Sequence, residues 1–140
     1  MYLYAGITKL IDPSWTAGGF LQGAKTWSTL FHWFASPGVL PVTNFLNEWG
    51  LALIGIALIL GVFVRLASYA GILLMILYYL PILQFPHPTP QSYIVDQHII
   101  FILALAVLAS FRAGRYFGLE KWCVSLPMCK KFPALRAWFG

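Results

Sequence analysis

Three apolar runs dominate what this chain can fold into. Trp49 to Val64 carries no charge and stops at Arg65. Leu66 to Leu83 stops at Gln84-Phe85-Pro86, and the run from about Tyr93 to Phe111 stops at Arg112. With its flanks, each reaches the ~17–20 helical residues that a bilayer core requires. A lone span with no water to pair its backbone must be helical. Composition agrees: 60% of the chain is hydrophobic and only 9% is charged, against about 25% charged in soluble domains. So little charge leaves lipid to cover the surface. The expectation is an all-α, integral membrane four-helix bundle spanning residues 1–122, followed by a basic, aromatic tail over 123–140.

The first of the four helices is the short one. Met1 to Ile11 is apolar apart from Thr8 and Lys9, yet eleven residues cover only about 17 Å at 1.5 Å each. The expectation is a half-inserted segment or a first helix whose start lies upstream of Met1. It lacks the basic leader of a signal peptide. Arg65, Arg112, Arg115, Lys121, Lys130, Lys131 and Arg136 fall on one side of the bundle, with only Glu120 against them. Lys9 and Lys25 fall on the other with Asp12, Glu48 and Asp96. The positive-inside rule then predicts a multi-pass protein of the cell membrane with a cytoplasmic C-terminus. The formal charge of +5 follows from these topology signals, so nucleic acid is not an expected partner; the lipid bilayer is. Cys123 and Cys129 read as free thiols on the reducing side, since they form no CxxC.

Between Asp12 and Glu48, Phe20, Ala24, Trp27, Phe31 and Phe34 recur at helical spacing, with Gln22, Lys25, Thr29 and His32 opposite. This predicts an amphipathic helix opened by Asp12-Pro13-Ser14 and closed by Ser36-Pro37-Gly38. It lies flat at the outer interface or caps the bundle. Leu40-Pro41-Val42 starts the next helix, with Pro41 in its first turn.

Ionisable groups at membrane depth are costly and so mark candidate sites. Lys9 and Asp12 lie three residues apart at the outer end of the first helix, and Glu48 follows Asn44 by one turn. Asp96 and His98 open the last helix. All fall at the outer rim, where Trp49, Tyr93, Phe31 or Trp33 would wall a small polar pocket. Asp96, His98 and Glu48 are the candidate catalytic, proton-handling residues; Lys9, Asp12 and Asn44 are the candidate substrate-binding residues. Each also has a plainer reading. Lys9 and Asp12 form a local pair or snorkel, Glu48 answers a helix dipole, Asp96 caps its helix, and His98 is an interfacial hydrogen-bonding residue. There is no GxGxxG, P-loop, GxSxG or HExxH, and no facing pair of histidines for a haem. No bound metal or haem is expected, which leaves holding a lipid-soluble quinone, or a partner subunit, as the redox roles open to the chain.

The residues resemble the DoxX/DoxD family. Ala5-Gly6-Ile7-Thr8-Lys9-Leu10 followed by Asp12-Pro13 is similar to the end of that family's first helix. Gly55 to Ser68, GIALILGVFVRLAS, is similar to its second helix and turn. Val95 to Trp122, VDQHIIFILALAVLASFRAGRYFGLEKW, resembles the last helix and exit of the DoxD branch. The resemblance runs to about Trp122. It implies the four-helix membrane subunit of thiosulfate:quinone oxidoreductase, with quinone as electron acceptor and a second, DoxA-like subunit as partner. No DoxA-like domain lies in this chain. The alternative is a non-catalytic accessory or anchoring subunit of a larger membrane complex. A small transporter is the weaker third class, for lack of an inverted repeat.

Overall fold

The computed structural model describes residues 1–85, 87, 93–111 and 113–118. It is all-helical, with no strand among those residues. The elements are α1 (Tyr2–Ile11), α2 (Gly18–Gln22), α3 (Ser28–Phe34), α4 (Leu40–Leu60), α5 (Val64–Ile82), α6 (Gln97–Ser110) and α7 (Ala113–Phe117). The tail with Cys123 and Cys129, and the basic residues Arg112, Lys121, Lys130, Lys131 and Arg136, lie outside the described residues, as does the side chain of Arg115.

Helices α4 and α5 are the two long apolar elements, with 21 and 19 residues. At 1.5 Å per residue each is about 30 Å long, the thickness of a hydrocarbon core. Their most apolar windows are only 22% and 28% buried inside the chain, so most of that apolar surface faces outward. Helix α4 begins at Leu40 with Pro41 in its first turn, where a missing N–H costs nothing. It ends at Gly61, whose left-handed φ of 64° closes the helix. Helix α5 resumes at Val64. Helix α6 is shorter than the run that announced it, with 14 residues, because Asp96 caps it at the start.

Successive long helices run antiparallel. Gly6 of α1 packs on the backbone of Ala52, and Leu3 on Gly55, one turn further along α4. Gly50 of α4 meets Leu74 of α5, and Gly71 of α5 meets Ile54 and Leu105 of α6. A core of Tyr2, Leu51, Ile54, Ala67, Met75 and Leu105 fills the space between the four helices.

The amphipathic stretch is not one helix. It breaks into α2 and α3 at Gly23, which closes α2, and at Trp27, which enters α3 with a left-handed φ of 53°. The break lets the segment fold back over the bundle end instead of lying straight. Ala17, Leu21, Ala24, Phe31 and Ala35 form a second core there, with Leu80 of α5 against it. The Lys25 N–H donates to the Pro81 carbonyl (2.8 Å), and the Thr26 hydroxyl to the Leu83 carbonyl (2.6 Å). Two carbonyls at the end of α5, those of Pro81 and Leu83, are thereby satisfied.

Candidate functional site

Helix register brings three polar side chains together beneath that cap. Lys9 stands in the last turn of α1, Asn47 in the first half of α4 and Tyr78 near the end of α5. Lys9 Nζ donates to Asn47 Oδ1 and to the Tyr78 hydroxyl, both at 2.7 Å. Tyr78 in turn donates to Asn47 Oδ1 at 2.7 Å. The Trp15 ring centroid lies 4.3 Å from Nζ and that of Tyr78 at 5.1 Å, so the ammonium also rests on two aromatic faces. An ammonium has three donors, and these contacts use two.

The triad forms the polar corner of a cavity of about 530 Å³, a size suited to a small organic ligand. Asn47, Gly50 and Ile54 of α4 and Ala70, Leu74 and Tyr78 of α5 line its length. Buried Ala17, Leu21 and Phe31 of the cap form its roof.

Asp96 and His98 stand next to the cavity and do not line it. Asp96 is buried at 8% exposure. Its Oδ1 accepts the backbone N–H groups of His98 (2.9 Å) and Ile99 (3.4 Å), capping α6. Its Oδ2 lies 2.6 Å from His98 Nδ1. The carboxyl group thereby holds the imidazole ring in place through Nδ1. The His98 ring centroid is 6.3 Å from Tyr78 and 6.5 Å from Tyr79. The dyad is therefore a neighbour of the triad through Tyr78.

The other candidates take different places. Glu48 stands near the start of α4, one residue after Asn47, whereas Asp96 and His98 form an ion pair. Asn44 holds the connector: its Oδ1 accepts the Ala17 N–H (3.0 Å) and its Nδ2 donates to Thr16 Oγ1 (3.2 Å). Asp12 is exposed and accepts from Ser14 N (3.0 Å) and Ser14 Oγ (2.6 Å), and these bonds hold its carboxyl below the usual range. Of the expected wall residues, Phe31 lines the cavity, while Trp33, Trp49 and Tyr93 are exposed elsewhere. Among the described residues, no group of three His, Cys, Asp or Glu is placed to hold a metal.

No family model, curated protein or solved structure matches this chain. The site must be read from its own geometry. Sequence reasoning missed Asn47 and Tyr78, which lie 38 and 69 residues from Lys9. The available signal was the cost of Lys9 itself: an ammonium in an apolar segment demands acceptors on the neighbouring helices.

Proposed function

We propose that the chain is a multi-pass subunit of the cell membrane belonging to a quinone-linked oxidoreductase, of the thiosulfate:quinone type that its resemblance to the DoxD branch implies. One observation carries the reading. A cavity that is apolar along its length ends in a corner where an ammonium and a phenol converge, 2.7 Å apart. A quinone has the same division: an apolar ring and substituents, with carbonyl oxygens that accept hydrogen bonds and gain charge on reduction. Bound there, it would take up two electrons and two protons.

The chain's own groups then have definite tasks. Lys9 donates its third N–H toward a carbonyl oxygen, and the positive charge favours the reduced, electron-rich ring; Tyr78, whose one O–H is given to Asn47, accepts from Lys9 and holds it in place. Asn47 fixes both donors by accepting from each. His98, oriented by Asp96, exchanges protons with the outer surface beside Tyr78. Electrons come from a sulfur-compound donor handled by a second, DoxA-like subunit. Asp12 and Asn44 shape the connector over the cavity, and Glu48 supplies the countercharge near Lys9.

The test is thiosulfate-dependent reduction of a decyl-tailed benzoquinone by the complex purified from its native membrane. Wild type is expected to be active and Lys9→Met at least ~10-fold slower, the loss of one charge-assisted hydrogen bond. A wild-type complex that reduces no quinone with thiosulfate would refute the assignment. The anchoring alternative is favoured by one observation, that both oxygens of Asp96 are already engaged within α6. It requires Asp96→Asn to leave turnover unchanged.

A further inference from the structure

We infer that the cavity is entered sideways from the lipid, through the seam between α4 and α5, and that Leu46, Leu73 and Leu77 form the portal that accommodates a long apolar tail on the ring. The inference rests on the quinone reading and adds the route and the class of molecule. The cavity extends from Thr43 to Ile54 along α4, eleven residues or about 16 Å, so it reaches from beneath the cap toward the middle of the span. Its flank on the α4–α5 side is open: Leu46 and Leu77, beside the Asn47–Tyr78 corner, and Leu73, one turn deeper, line it and remain 62%, 38% and 59% exposed. At Gly50 the seam has no side chain, and a Cβ there would come no closer than 3.7 Å to Leu74. The far end is roofed by buried Ala17, Leu21 and Phe31. Thr16 and Phe20 are the lining residues exposed on the roofed side.

The two routes differ in what they do with a tail. Through the seam, the ring reaches Lys9 while the tail stays in hydrocarbon, so the tail adds no penalty. Through the Thr16–Phe20 side, the tail would leave lipid for water, at a cost that grows with every methylene. The full chain in lipid nanodiscs is titrated with a decyl-tailed benzoquinone and with its tail-less parent. Quenching of intrinsic tryptophan fluorescence reports occupancy, and both affinities are expressed on lipid-phase concentration. Wild type is expected to bind the two within ~3-fold. The Leu46→Phe/Leu73→Phe variant is expected to weaken the tailed ring about tenfold and to leave the parent within ~2-fold. Thr16→Phe, at a lining residue on the roofed side, is expected to shift both rings by the same factor, with no dependence on the tail.

A tailed ring that binds more than tenfold weaker than its parent would overturn the portal. So would a seam variant that weakens both rings equally or neither, or a tail-dependent loss confined to Thr16→Phe. In those cases the quinone site itself survives, because the parent ring still binds wild type. If wild type binds neither ring, the quinone reading falls and the portal falls with it.

Discussion

Lys9 is the residue on which the site turns. A charge among apolar helices persists only when its donors are paired, and Asn47, Tyr78 and Trp15 do this. Removing an acceptor should therefore cost more than removing the charge. Tyr78→Phe is expected to lower stability by about 1–3 kcal/mol, read as a lower unfolding midpoint in detergent. Lys9→Met relieves the buried charge, so its stability loss should be smaller than that of Tyr78→Phe, while its affinity for a benzoquinone falls ~10–100-fold. Asp96 has two tasks that separate by substitution. Asp96→Asn keeps an N-cap side chain and should leave stability nearly unchanged, whereas Asp96→Ala should cost about 1 kcal/mol. Because Asp96→Asn removes the charge that orients His98, quinone turnover should fall by about two orders of magnitude. Unchanged turnover would return the dyad to a purely structural role.

At the scale of elements, the seam between α1 and α4 is close and the seam between α4 and α5 is loose. A Cβ at Gly6 would strike the backbone of Ala52, and one at Gly55 the backbone of Leu3. Gly50 has room. Gly6→Ala is thus expected to displace α1, carry Lys9 away from Asn47 and lower the unfolding midpoint; Gly50→Ala should be neutral or stabilising by up to about 1 kcal/mol. Equal midpoints for the two variants would contradict the register. These seams explain what was legible in the residues. The two long helices were readable because the runs Trp49–Val64 and Leu66–Leu83 carry no charge and stop at Arg65 and the polar Gln84, and α5 lies within a few residues of its run. Pro41 correctly opened α4. The amphipathic stretch was misdrawn as one helix because spacing alone does not register the break at Gly23 or the left-handed turn at Trp27. Lys9 was visible as an expensive charge. Asn47 and Tyr78 were not, because only the antiparallel register makes neighbours of residues so far apart in sequence.

At the scale of the whole molecule, many large apolar side chains of the described residues stand on the outside of the helices. Phe45, Leu46, Leu53 and Ile59 of α4 are 59%, 62%, 58% and 71% exposed, and Leu73 of α5 is 59% exposed. In the membrane reading proposed above, lipid is the solvent that removes this surface from water. In that setting, a cysteine placed at exposed Asp12 or Phe85 should react with an impermeant maleimide from outside intact cells, and one at Tyr116 only after permeabilisation. The central claim is that a quinone ring sits against Lys9 and Tyr78, and photolabelling tests it most directly. The full chain in lipid is irradiated with an azidobenzoquinone, with and without excess unlabelled quinone, and the labelled peptides are mapped. Label should fall on the segments bearing Lys9 to Phe20 and Leu73 to Tyr78, and competitor should remove it. Label spread over the outward faces of α4 and α6, or undiminished by competitor, would contradict a quinone site in this cavity.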